Sequence, residues 1–130
     1  MAVDTFDPSA MDAGMDEAAL RELCRYAENF DGDAVVLSEI EIARFAPLAA
    51  HQGWAGQAQT CSDAQLLGLI RVFTLGEMQF SSWAAGDKSP VVALVKVLKA
   101  RSAYEPALTK WIKAHTSNKF LPHGSLMDRL

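Results

Sequence analysis

The chain has 130 residues, half of them hydrophobic, with a mean hydropathy of +0.05 and a net charge of −4. A chain of this length buries roughly two thirds of its unfolded surface around one core, so neither a metal nor a disulfide is needed to hold the fold together. Its longest apolar runs, such as 91–95, fall well short of the roughly 20 residues a bilayer span needs, and a pI near 5.3 is far from that of a basic nucleic-acid module.

Residues 1–14 carry Asp4, Asp7 and Asp12 with no lysine or arginine, and Pro8 and Gly14 interrupt any regular element. They read as a flexible acidic lead-in to a single domain over 15–130, and they lack the basic region and apolar run of an export signal, so a cytoplasmic location is expected. From Met15 to Phe30 the set Ala19, Leu20, Leu23, Cys24, Tyr26, Ala27 and Phe30 recurs at spacings of three and four, which predicts an amphipathic helix. Glu17 with Arg21, and Arg25 with Glu22 and Glu28, read as solvated pairs on its outer face.

Asp31-Gly32-Asp33 makes a turn, and the next stretch can be read in two ways. Ile40 and Ile42 alternate with Glu39 and Glu41 as in a strand, whereas Ser38 followed by Glu41 is a capping box and Ile42, Phe45, Ala46 and Ala49 share a helical face. The helix is preferred, kinked or ended near Pro47, with 51–59 as a linker. Ser62 and Asp63 open a third helix with Leu66, Leu69, Ile70 and Phe73 inward and Gly68 marking a close approach. The segment 75–85, carrying Met78, Phe80 and Trp83, continues that helix or forms a short separate one that ends by Gly86.

Ser89 as N-cap and Pro90 at the first helical position start a fourth helix, with Val91, Leu94, Val95 and Leu98 buried and Lys96 and Lys99 wet. A fifth runs from about Glu105 to His115 with Leu108, Trp111 and Ile112 inward, and the tail 116–130 packs on the bundle through Phe120, Leu121, Leu126 and Met127. The fold expected is therefore all-α: a compact orthogonal or bundle-like single domain of about five helices with an irregular C-terminal tail.

Chemistry-bearing patterns are scarce. His51, His115 and His123 have no second ligand at metal-binding spacing, Gly53 and Gly56 form no phosphate-cradling loop, and no serine stands in a Gly-x-Ser-x-Gly elbow. Cys24 and Cys61 are far apart, with no neighbour that hints at activation, and read as small buried hydrophobes in a reducing compartment. No metal, cofactor or catalytic residue is assigned, and an enzyme built from scattered groups such as His115, Glu77 and Asp87 ranks third among the functional readings.

Charge is distributed unevenly. Residues 1–41 hold eleven acidic and two basic side chains, net −9, while residues 86–130 hold three acidic and eight basic, net +5. The leading expectation is a non-enzymatic protein that works through protein–protein contacts, self-association as a homodimer being the simplest form, with Trp54, Trp83, Tyr104, Phe120 and His123 as candidate anchors. The alternative is a nucleic-acid-binding regulator that uses a basic helix pair in 90–119, with Lys96, Lys99, Lys110, Lys113 and Lys119 on phosphates.

Overall fold

A computed structural model of the chain describes residues 15–124, and six α-helices with three short 3-10 turns account for the regular structure among them. Helix α1, Glu17–Glu28, is capped by Asp16, whose carboxylate accepts the Ala19 N–H at 3.1 Å. Helix α2, Glu39–Ala50, opens on a complete capping box: the Ser38 hydroxyl takes the Glu41 N–H at 3.1 Å and the Glu41 carboxylate takes the Ser38 N–H at 2.9 Å. Residues 35–45 are thus an extended lead-in followed by helix, and no strand occurs among the described residues. Pro47 does not end α2. The bond its missing N–H forfeits is lost inside the helix, and the chain stays helical for three more residues.

The segment 51–59, expected as a plain linker, holds the one-turn helix α3, Trp54–Gln57, and runs into a 3-10 turn over Ala58–Thr60. Burial of Trp54 and Ala58 gives that local structure its reason. Helix α4, Asp63–Gln79, begins with a second capping box, between Ser62 and Gln65, and takes in the first part of the 75–85 segment, the rest of which forms a separate 3-10 turn. After turns at Ser81–Trp83 and Gly86–Lys88, α5 spans Pro90–Ala100, its first turn capped by Ser89. Helix α5 ends in a Schellman arrangement: Ser102, at φ 57, lets its own N–H reach the Lys99 carbonyl and that of Ala103 reach the Leu98 carbonyl. The chain thereby reverses into α6, Pro106–His115.

Helix α4 is the hub of this all-helical domain. From Gly68 to Glu77 every residue but Arg71 is buried, the pattern of a helix enclosed on most sides. Helices α1 and α5 pack along it, the latter through Val91, Leu94, Val95 and Leu98, and α6 lays Leu108 and Ile112 against it. Leu121 closes the described part of the tail onto the same core, while Leu126 and Met127, and the acidic lead-in 1–14, lie outside the described residues. No helix among the described residues is long and apolar enough to cross a membrane.

Two glycines set the closeness of this packing. A Cβ at Gly68 would stand 2.2 Å from the Ala27 carbonyl oxygen, and one at Gly76 would stand 2.3 Å from the Trp83 ring. Gly68→Ala is therefore expected to destabilise by about 1–3 kcal/mol, because backbone cannot yield and the overpacking outweighs the helix-propensity gain. Gly56→Ala in α3, which meets nothing within 4 Å, is expected to be neutral or stabilising by up to about 1 kcal/mol. Urea denaturation of the two variants checks the contrast.

Candidate functional site

The aromatic residues expected as contact anchors separate into two groups. Trp54 and Trp83 are each 1% exposed, which corrects their reading as surface anchors: their rings complete the core and their indole N–H groups donate to the Leu48 carbonyl at 2.8 Å and the Ile42 carbonyl at 2.9 Å. Tyr104, Phe120 and His123 are half-buried. Tyr104 and His123 meet edge-on at 6.2 Å between ring centres, and Lys99 joins them, 5.4 Å above the Tyr104 ring and 2.8 Å from His123 Nδ1.

The lysines of the basic half are exposed but not collected into one track. Lys96 lines a cleft of about 320 Å³ between α3 and α5, with His51, Asp87 and Lys88. Lys99 belongs to the Tyr104 and His123 group, Lys119 lies 5.6 Å over its neighbour Phe120, and Lys110 and Lys113 project from α6. His115, Glu77 and Asp87 likewise have separate surroundings. His115 stacks on Trp111 at 4.2 Å with its Nε2 3.6 Å from Asp33, Glu77 is buried, and Asp87 faces the α3–α5 cleft.

A different surface stands out. Val36 and Ile40 are 79% and 81% exposed, the highest values for large hydrophobic residues among those described. Val36 lines a groove of about 580 Å³ whose apolar lining also includes Tyr26, Phe30, Ala34 and Phe45, with Glu22, Arg25, Asp31 and Glu41 around it, and Ile40 stands in the first turn of α2 next to Glu41. The backbone beneath this lip is fixed. The Gln79 side-chain amide pairs with Val35 in both directions, accepting its N–H at 2.7 Å and donating to its carbonyl at 2.9 Å, and the Tyr26 hydroxyl accepts the Val36 N–H at 2.9 Å. Val35 is therefore held inward and Val36 outward. Glu22, expected in a pair along α1, instead meets Arg44 of α2 and spans the two helices at the groove's edge.

At the same C-terminal end of α4, Glu77 joins three parts of the chain. Its carboxylate accepts the Ser89 hydroxyl, which in turn caps α5 by accepting the Val91 N–H at 3.2 Å. The Asn118 amide reaches the same carboxylate and donates to the Gly86 carbonyl at 3.0 Å, tying the tail to the turn before α5. Burial pushes the Glu77 carboxyl up to about 7, against the opposing pull of the Ser89 and Asn118 hydrogen bonds.

The fold and these surfaces define an all-α domain with shallow grooves and, among the described residues, no group of three or more His, Cys, Asp or Glu side chains arranged to hold a metal ion. No protein-family model matches the chain, and neither does any curated protein or solved structure.

Because the Glu77 carboxyl titrates near 7 in the folded chain and at the ordinary 4.5 when unfolded, the folded state binds the extra proton between those values and stability falls as pH rises through them. The decrease attributable to this group is on the order of 2–3 kcal/mol. Glu77→Gln keeps an acceptor for Ser89 and removes the ionisation, so its stability relative to the parent is expected to be greater at pH 8 than at pH 5 by about that amount. Denaturant titrations at both pH values measure the difference; an offset that does not change with pH contradicts the assignment.

Proposed function

We propose that this domain is a non-enzymatic protein-contact module, and that its contact surface is the Val36–Ile40 lip over the groove between α1 and α2. The supporting observation is that Val36, one of the two most exposed large hydrophobic residues, lines an apolar concavity on backbone pinned by Gln79 and Tyr26, and that the other, Ile40, adjoins the groove-lining Glu41. Rigid apolar groups beside a groove lose little entropy when covered, and each such side chain contributes about 1.5–3 kcal/mol when fully buried.

The chemistry of the occupant follows from the rim. The groove's own charges are Glu22, Asp31 and Glu41 against Arg25, and Asp33 and Glu39 adjoin them on a stretch, 31–41, that has no basic side chain. The surface is therefore acidic on balance and favours an apolar segment flanked by lysine or arginine. Self-pairing of this face would set acid against acid, which makes a second copy the weaker occupant. The basic C-terminal half, by contrast, divides its lysines among four neighbourhoods, which offers less to a nucleic-acid backbone than a continuous stripe would.

The probes are an amphipathic helical peptide of leucine and lysine, its leucine–glutamate counterpart, and random duplex DNA at low salt. Binding of the lysine peptide alone is expected, with amide shift changes centred on Tyr26, Val36 and Ile40, and Ile40→Asp is expected to weaken it at least about tenfold, the equivalent of 1.4 kcal/mol. Shifts centred on Lys96, Lys110 and Lys113 with DNA, dimerisation through the Val36 face in sedimentation, or equal binding of both peptides would overturn the reading.

A further inference from the structure

The two cysteines, distant in sequence, come together in the fold. Cys24 on α1 and Cys61 in the turn before α4 line one groove of about 320 Å³, thiol facing thiol, with Arg21, Gln57 and Thr60 at its edges. The turn that carries Cys61 is clamped from behind by Arg101 at the end of α5. One guanidinium nitrogen donates to the Cys61 carbonyl at 2.8 Å and to the Asp63 carboxylate at 2.9 Å, and the other to the carbonyls of Gln59 at 3.2 Å and Ala58 at 3.4 Å. On the facing side, α1 is held by the close approach of Ala27 to Gly68 and by the Gln65 amide donating to Glu28 at 2.8 Å. Both sulfurs are thus presented to each other from backbone that has little freedom to carry them apart.

We infer that Cys24 and Cys61 form a thiol–disulfide site that reacts with hydroperoxides and, when oxidised, links α1 covalently to the 58–61 turn. Cys61 is the attacking group. As a thiol it donates weakly to the Gln57 carbonyl at 3.7 Å; as a thiolate it accepts the Cys24 S–H and sits in the field of Arg101. The Cys24 hydrogen bond, together with Thr60 and the Arg101 charge, outweighs burial and lowers the Cys61 thiol to about 7, whereas Cys24, donating to that thiolate and partly buried, is pushed well above the usual thiol range. One member of the pair is ready to ionise and its neighbour keeps its proton.

The chemistry balances with hydrogen peroxide as the oxidant. The Cys61 thiolate attacks one peroxide oxygen, the O–O bond breaks, and the departing hydroxide takes a proton to leave as water, so that Cys61 becomes a sulfenic acid. The Cys24 sulfur then attacks the Cys61 sulfur. The S–S bond forms, the S–O bond breaks, and the hydroxide released combines with the Cys24 proton as a second water. Two thiols lose two electrons and one peroxide is reduced to two waters.

The test treats the full chain with hydrogen peroxide, quenches it, alkylates in denaturant and measures intact mass and peptide linkage. The expected product is monomeric, lighter by two hydrogens, carries no alkyl group on either cysteine, yields a Cys24–Cys61 linked peptide and returns to two alkylated thiols after dithiothreitol. With Cys24→Ser, a dimedone adduct is expected to accumulate on Cys61; with Cys61→Ser, dimedone labelling of Cys24 is expected to be absent. Two alkylatable cysteines after excess peroxide, a link between two chains, or direct passage to sulfinic acid without a disulfide would overturn the assignment. The readout on the unmodified chain stands even where a variant fails to fold.

Discussion

Two indole hydrogen bonds organise the interior. Burying a tryptophan brings a large apolar surface into the core, but its N–H must find an acceptor or cost about 1–3 kcal/mol. Helix α2 supplies both acceptors, the Ile42 carbonyl for Trp83 and the Leu48 carbonyl for Trp54. Between the two indoles stands Phe73 of α4, with ring centres 5.4 Å from Trp54 and 5.9 Å from Trp83. Helix α2, whose exposed first turn and internal proline make it a weak element alone, is thereby fastened to the hub at both ends. Gly76 belongs to the same device, since only a residue without a Cβ leaves room for the Trp83 ring against α4.

With the largest aromatics committed inward, what the domain offers to the outside lies elsewhere. The lip at Val36 and Ile40 exists because the α2 anchor and the Gln79 clamp fix the preceding loop in an extended form, which alternates Val35 in and Val36 out. On another face of α1, the Arg101 clamp fixes the turn that carries Cys61. Both features therefore depend on tertiary hydrogen bonds between residues remote in sequence. The buried Glu77, in the same last turn of α4 as Gln79, holds the start of α5, the 86–88 turn and the tail through one carboxylate.

Local signals carried most of the fold. The capping box at Ser38, the Ser89–Pro90 start and the three-and-four recurrence of Leu66, Leu69, Ile70 and Phe73 act within a few residues, so the helices they mark are where the sequence places them. The strand-like alternation at 39–42 misleads because Ile40 is an exposed residue of the first helical turn. Helix α3 could not be anticipated, since one turn has no period to detect and forms because Trp54 is drawn into the core. Trp54 and Trp83 resembled loop anchors because position in a loop says nothing about burial; the glycine at 76, costly inside a helix, was the available sign that a bulky ring packs there. Val36 carried no signal of its own in the sequence, because it is the pairing of Val35 with Gln79, 44 residues away, that holds Val35 inward and leaves Val36 outward. Nothing local links Cys24 to Cys61.

Hydrogen–deuterium exchange of the three indole N–H groups, followed by NMR, tests the organising role of the tryptophans directly. The Trp54 and Trp83 signals should persist with protection near that of the slowest α4 amides, while the signal of the half-exposed Trp111 decays early. Exchange of Trp54 or Trp83 as rapid as that of Trp111 would show that the indoles are not bonded to α2, and would contradict both the core described here and the placement of the proposed contact surface away from them.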